Sequence, residues 1–208
     1  MSFAAAERAA ICDTFLEVGP DAPTLNEGWD AYDLAAHLWV RENRVGMRML
    51  VMIDPKRAEE TLLRAAKQEN SFLRLISLLR EGPKGASIFR LPGVEHLANT
   101  AELFIHHEDL RRAGPSPLPP RELDEEATKA LTGSLRRMAG LMFRKAPFGV
   151  DLTIPGGETI AVKRRRKVGI RGEAGELLLW ASGRTGAAHV ELAGRPEDVA
   201  ELKASLGI

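Results

Sequence analysis

The stretch that decides the fold is residues 94–113, VEHLANTAELFIHHEDLRRA, which runs into Gly114-Pro115. It predicts a helix that starts near residue 94 and stops before the Gly-Pro pair, because glycine commonly ends a helix and proline cannot continue one. Within it Glu102 and His106 stand four residues apart, so their side chains project from one face, one turn apart. That spacing lets both side chains reach one metal ion, although it does not require a metal.

A third candidate ligand lies earlier in the chain, in residues 29–38, WDAYDLAAHL. Asp30 is predicted to cap this helix, and Asp33 in its first turn suits the helix dipole. His37 falls mid-helix, on or beside the apolar face, where an imidazole must find a partner. That partner can be a carbonyl or carboxylate in a structural role, or a metal. Two histidines and one carboxylate match catalytic zinc with an open fourth position, and the same set also serves non-haem ferrous iron.

Further helices are predicted around these two. Amphipathic patterns indicate a helix over residues 3–18, continuation of the His37 helix to about Ile53, a helical stretch over 55–79 that Asn70-Ser71 can divide, and a helix over 124–145. The Gly- and Pro-rich residues 82–93 are predicted to form a loop. Four principal helices joined by turns favour an antiparallel bundle.

The sequence pattern changes at about residue 146. Residues 148–154, 159–162 and 167–170 are predicted strands, and they are followed by a helix in GELLLWASGR, a strand in HVELAG and a closing helix that begins near Pro196. We therefore predict an α+β protein with a helical bundle in residues 1–145 and a small α+β domain in residues 146–208.

The charge balance limits the classes of partner. Lys plus Arg and Asp plus Glu both number 29, so no overall field attracts nucleic acid or an anionic membrane. The one strong charge run, KRRRK at residues 163–167, is interpreted as a solvated hairpin or edge strand, with nucleic-acid or anionic-ligand binding as the alternative. No uncharged run is long enough to span a bilayer, and charges interrupt the N-terminal apolar stretch, so we expect a cytoplasmic protein. The single cysteine, Cys12, is interpreted as a core residue.

The motifs around the candidate ligands resemble those of a known family. Residues 102–109 closely resemble the E-x-x-x-H-x-x-D signature of the mycothiol-dependent maleylpyruvate isomerase family, a branch of the DinB-like metal-binding bundles. Residues 29–38 resemble its W-x-x-x-D-L-x-x-H-L signature. Residues 175–184 resemble its C-terminal G-E-L-L-L-W-x-x-G-R segment, on a module similar to sterol-carrier domains. The motifs occur here in the family's order and cover nearly the whole chain.

The resemblance implies a DinB-like four-helix bundle in which His37, Glu102 and His106 bind zinc or another divalent metal. It also implies contact of Arg184 with a substrate or thiol. Asp109 can accept the second ring N–H of a ligating histidine and fix its tautomer, or it can pair with Arg112 on the helix surface.

The function implied is that of an enzyme in which a metal activates a low-molecular-weight thiol, mycothiol, towards a small electrophilic substrate. A noncatalytic metal-binding or sensing module is the alternative, and nucleic-acid binding through residues 163–167 is a weaker one. His107 lies round the helix from Glu102 and is interpreted as a bundle or surface contact. His96 and His189 are interpreted as structural.

Overall fold

The computed structural model describes residues 2–43, 55–83 and 94–206. In these residues the chain forms eight helices and four strands, divided between two compact units, Met1–Leu118 and Pro119–Ile208. The mixed α+β class and the helical N-terminal part are thus confirmed. No helix in the described part of the chain combines the length and the apolar character needed to cross a membrane.

The first unit is helical. It contains α1 (Phe3–Val18), α2 (Ala31–Asn43), α3 (Pro55–Glu69), α4 (Phe72–Glu81) and α5 (Val94–Arg111). Helix α1 packs most extensively on α5 and also contacts α4 and α2, while α2 packs on α3 and α4. Aliphatic and aromatic side chains fill the space between them, among them Ile11, Phe15, Leu34, Leu38 and Leu75.

Short polar side chains start the helices where the sequence predicts. The Asp30 carboxylate accepts from the backbone N–H of Asp33 at 2.7 Å, and the Asp33 carboxylate accepts from the N–H of Asp30 at 3.3 Å. This reciprocal pair satisfies N–H groups that have no partner inside the helix. The Ser71 hydroxyl caps α4 by accepting from the backbone N–H of Arg74 at 3.3 Å, so the predicted division at Asn70-Ser71 is confirmed. The predicted extension of α2 beyond residue 43 and most of the predicted loop, residues 84–93, lie outside the described residues.

Helix α5 and the residue that follows it bury an unusual number of polar side chains, each at most 8% exposed: Asn99, Thr100, His106, His107, Glu108, Asp109 and Arg112. Buried polar groups need hydrogen-bond partners. One partner network starts from Arg8 of α1, whose guanidinium donates to both carboxylate oxygens of Glu42 on α2 at 2.6 and 2.9 Å. Asn99 of α5 donates to the same carboxylate at 2.8 Å. Three helices are therefore joined by one buried, charge-assisted network.

The second unit combines helices with a mixed sheet. Its elements are α6 (Glu125–Met142), β1 (Gly149–Thr153), β2 (Thr159–Val162), β3 (Arg166–Arg171), α7 (Ala174–Ala181), β4 (Glu191–Ala193) and α8 (Pro196–Leu206). The strand order is β2-β1-β3-β4. Strand β1 pairs antiparallel with β2 and parallel with β3, and β3 pairs antiparallel with β4.

The division between the units differs from the predicted boundary at residue 146. Helix α6 packs against α7 and β2, and Phe143 just beyond it stacks on Trp180 of α7 with ring centroids 6.1 Å apart. The helix thus belongs to the second unit, and the division falls at residues 118 and 119, in the proline-rich turn before it. The change of hydrophobic pattern near residue 146 marks the passage from helix to strand. The core of the second unit already includes the helix before it, α6.

The basic run forms a crossover, residues 163–165, and the start of the interior strand β3, and not the hairpin or edge strand that the sequence predicts. Residues 163–165 connect β2 to β3, which lie on opposite sides of β1. The chain therefore crosses the start of β1 at Gly149, where an added Cβ would lie 2.7 Å from the carbonyl oxygens of Val162 and Arg164. Only glycine permits so close an approach.

Most charges in the basic run have partners within the second unit. Lys163 donates to the carbonyls of Arg144 and Ala146. Arg166 pairs with Asp151, and Lys167 pairs with Asp198. These contacts give the charged side chains of the basic run a structural role in the second unit.

The buried network gives a prediction about stability. Replacing Arg8 with methionine leaves Glu42 without its bidentate partner in a buried position, so the free energy of unfolding should fall by about 3–5 kcal/mol. The matched control is Arg80→Met, which breaks an exposed pair with Asp13 whose side chains are 43% and 61% exposed; it should cost less than about 1 kcal/mol. Urea denaturation followed by circular dichroism measures both. Equal losses in the two variants would show that the buried network does not restrain the helices.

Candidate metal centre

Three candidate ligands from two helices meet at one place in the first unit. His37 lies on α2, and Glu102 and His106 lie on α5, with one donor atom from each within 4.8 Å of the other two. The rings of His37 and His106 have centroids 5.0 Å apart and are inclined at 68°. Metal–ligand bonds of about 2 Å place the donors of a tetrahedral site roughly 3.3 Å apart. Small side-chain movements would therefore bring these three donors to a common cation.

His106 is oriented by a buried carboxylate. Its Nδ1 lies 2.8 Å from Oδ2 of Asp109, a fully buried residue that also accepts from the side-chain amide of Asn26 at 3.3 Å. Because a carboxylate accepts, Nδ1 carries the hydrogen, and in the neutral imidazole Nε2 has the lone pair. Of the two partners considered for Asp109, the structure shows the contact with His106, and Arg112 pairs with Glu108.

His37 has a corresponding carboxylate, which the sequence analysis missed. Its Nδ1 lies 2.9 Å from Oε1 of Glu59 on α3, so its Nε2 is the nitrogen that keeps a lone pair. The indole of Trp29 packs beside the imidazole with ring centroids 5.0 Å apart. Glu59 stands on a different helix from every predicted ligand, and no local spacing connects it to them. Only the contact between α2 and α3 reveals its role.

Glu102 contacts an imidazole and a guanidinium. Its Oε2 lies 3.5 Å from Nε2 of His106 and 3.4 Å from Nε of Arg41 on α2. Its side chain is 30% exposed, whereas those of His106 and Arg41 are 10% and 13% exposed. The carboxylate therefore lies at the outer edge of the cluster.

The surroundings shift the pKa values of all three side chains. Burial lowers the pKa of His37, and the hydrogen bond with Glu59 only partly offsets this. Burial also acts to lower the pKa of His106, but its contacts with Asp109 and Glu102 outweigh it and raise the pKa. Burial alone would raise the pKa of Glu102, yet His106 and Arg41 lower it to about 2. At neutral pH Glu102 is thus an anion.

The neighbouring histidine, His107, serves a different purpose. Its Nδ1 lies 2.8 Å from Oε1 of Glu7, and its Nε2 lies 2.9 Å from Oγ1 of Thr14, both on α1. Both ring nitrogens are engaged, so His107 is the bundle contact that the sequence indicates. Cys12 is buried, and burial raises the pKa of its thiol to about 11, which agrees with its interpretation as a core residue.

The remaining candidates lie apart from this cluster along the chain. Arg184 belongs to the second unit and donates from Nη1 to the carbonyl of Ser182 at 2.8 Å; its contact with a substrate or thiol stays a prediction. His189 belongs to the same unit, and its backbone N–H donates to the Glu176 carboxylate. The side chain of His96 lies outside the described residues.

These electrostatics predict the order in which the two imidazoles titrate. In metal-free protein, the pKa of His106 should lie above the ordinary value of 6.5 and that of His37 below it. Asp109→Asn should lower the pKa of His106, because it removes the charge that stabilises the imidazolium. Asp13→Asn, at an exposed acid on α1, should leave it unchanged. NMR titration of the histidine ring resonances measures the pKa of both histidines in the wild-type protein and of His106 in the two variants. A higher pKa for His37 than for His106 would contradict the geometry.

Comparison with known proteins finds similarity at the level of structure. No protein-family model matches the chain, and no curated protein matches its sequence. Among solved structures, a mycothiol-dependent maleylpyruvate isomerase superposes with a TM-score of 0.55 and 18% identity, covering 94% of this chain and 97% of the other. A histidine-to-alanine mutant of such an isomerase superposes with a TM-score of 0.56 and 18% identity, covering 93% and 91%. The chain therefore shares the fold of mycothiol-dependent maleylpyruvate isomerase over nearly its whole length.

Proposed function

We propose that this protein is a thiol-dependent metalloenzyme whose zinc ion is bound by His37, Glu102 and His106. One observation carries the proposal: two imidazoles and a carboxylate bring donor atoms within 4.8 Å of one another. Each imidazole is also bonded through Nδ1 to a carboxylate, Glu59 or Asp109. A carboxylate on the second nitrogen is the usual arrangement around metal-binding histidines, because it fixes the tautomer and increases ligand basicity.

The charges at the cluster favour a divalent cation. Three carboxylates contact the imidazoles, those of Glu59, Glu102 and Asp109, and Arg41 pairs with Glu102. A divalent cation bound by His37, Glu102 and His106 would interact favourably with Glu102 and with the two carboxylates that hold the imidazoles. Two nitrogens and one oxygen suit zinc and leave a coordination position for a further ligand.

The chemistry we propose is thiol activation. A bound zinc ion lowers the pKa of a coordinated thiol, and the thiolate is the nucleophilic form. The protein groups would supply the setting for this: Glu102 stays anionic, Asp109 and Glu59 hold the imidazoles, and Trp29 forms an apolar wall beside His37. Because the thiol must stay reduced, a reducing compartment such as the cytoplasm suits the reaction.

The identity of the thiol is proposed from the structural neighbours. Both are named as mycothiol-dependent maleylpyruvate isomerases, so we propose mycothiol as the co-substrate and isomerisation or transfer on a small electrophilic substrate as the reaction. We assign the first unit to the DinB-like bundles and the second to the sterol-carrier-like modules. Arg184 is proposed as a contact of the thiol or the substrate.

Metal binding is tested by substitution of the ligands. His37→Ala and His106→Ala should each reduce bound zinc, measured by elemental analysis after dialysis, from about one ion per chain to a small fraction, because two protein ligands hold zinc far less tightly than three. The control is His189→Ala, at a histidine of the second unit, which should keep the full content. Unchanged zinc in both bundle variants would refute the site.

Thiol dependence is tested on protein loaded with cobalt in place of zinc. Titration with mycothiol should change the visible absorption of the cobalt, since a sulfur ligand alters both its geometry and its charge-transfer bands. Arg184→Ala should weaken the response without changing the metal content. A metal-loaded protein that shows no spectral change and no heat of binding would instead be a noncatalytic metal-binding or sensing module.

A further inference from the structure

Arg41 is the one cation that contacts a candidate metal ligand among the described residues. It lies on α2, one turn after His37, and its Nε is 3.4 Å from Oε2 of Glu102 on α5. A carboxylate has two oxygens and about four acceptor positions. Glu102 can therefore pair with Arg41 and still offer an oxygen atom as a ligand to a metal ion.

The guanidinium of Arg41 is held at a second point. Its Nη1 donates in a short hydrogen bond to Oδ1 of Asn99, a fully buried residue on α5. Asn99 and Glu102 are three residues apart, so both face α2 from one side of α5. Arg41 thus bridges two positions on α5 with two different nitrogens, which fixes the plane of the guanidinium as well as its position.

Asn99 is in turn fixed by the buried network. Its amide nitrogen donates to Glu42 at 2.8 Å, and Glu42 receives the bidentate contact from Arg8 of α1. Arg8 also donates to the backbone carbonyl of Leu79 in α4 at 3.0 Å. A continuous chain of hydrogen bonds therefore leads from α1 and α4 through Asn99 to Arg41, and an ion pair joins Arg41 to the carboxylate of Glu102.

We infer that Arg41 is a positioning residue for the metal centre, which it organises by holding the Glu102 carboxylate in the orientation that binds the ion. The inference rests on the proposed metal site. Arg41 does not bind the ion itself, and it acts only through Glu102. The positive charge of the guanidinium, taken alone, would weaken the binding of a divalent cation, since like charges repel. Positioning and repulsion therefore predict changes of opposite sign when the side chain is removed.

The experiment measures zinc affinity by competition with a chromophoric chelator. Arg41→Met keeps much of the apolar stem and removes charge and donors, and we expect it to weaken zinc binding about 10- to 100-fold, the range typical of groups that orient a metal ligand. Arg41→Lys keeps the charge but cannot bridge Glu102 and Asn99 with a planar fork, so it should also bind zinc more weakly. Arg74→Met, at an exposed arginine on α4, is the matched control and should bind as the wild type does.

Two further measurements separate positioning from general damage to the fold. The visible spectrum of the cobalt-loaded protein should change in Arg41→Met and Arg41→Lys, because the ligand field depends on how Glu102 coordinates. Thermal unfolding of the metal-free variants shows whether each is folded. If Arg41→Met does not fold, Arg41→Lys, which keeps the charge, carries the test.

The outcomes distinguish this inference from the proposed function. Unchanged or tighter zinc binding by Arg41→Met, or wild-type affinity and spectrum in Arg41→Lys, would overturn the positioning role while the metal site stood. Failure of the wild-type protein to bind zinc would overturn the metal site itself, and the role of Arg41 with it.

Discussion

Polar side chains buried between the helices of the first unit constrain the rest of that unit. Each buried polar group left without a partner costs about 1–3 kcal/mol, and more where it is charged. Helix α5 presents such groups in several directions, to Glu7 of α1, to Arg41 and Glu42 of α2, and to Asn26 in the loop between α1 and α2. Sliding or rotating α5 would break several of these contacts together. Its register is thus fixed far more narrowly than apolar packing alone would fix it.

The same contacts determine the geometry of the proposed metal centre. Asp109 and Glu59 set the rotation of the two imidazoles, and these carboxylates come from α5 and α3, outside the helix that carries His37. Because protein groups already hold the donor atoms, little further ordering of side chains is required when a ligand binds, and the entropic cost of binding is correspondingly low. Stability and site geometry therefore depend on one set of buried interactions in this unit.

The sequence reveals the parts of the site that follow from local spacing. Glu102, His106 and Asp109 lie on one helix at intervals of four and three residues, which the helical period converts directly into a shared face. Glu59 and Arg41 could not be found in this way, because their contacts depend on how α2, α3 and α5 rotate against one another. The position of α6 was missed for a related reason: its pattern shows that it is an amphipathic helix, but not which core its apolar face covers.

The adjacent residues His106 and His107 show how partners rather than residue type determine the role of a histidine. About 100° of helix separates them, so they meet different neighbours. In His107, Glu7 and Thr14 engage both ring nitrogens, and an imidazole so engaged has no lone pair to give to a metal. In His106, Asp109 engages Nδ1, while Nε2 lies 3.5 Å from Oε2 of Glu102. A cation that both groups can bind would satisfy a nitrogen held beside an anion in a largely buried place, and this favours His106 over His107 as the proposed ligand.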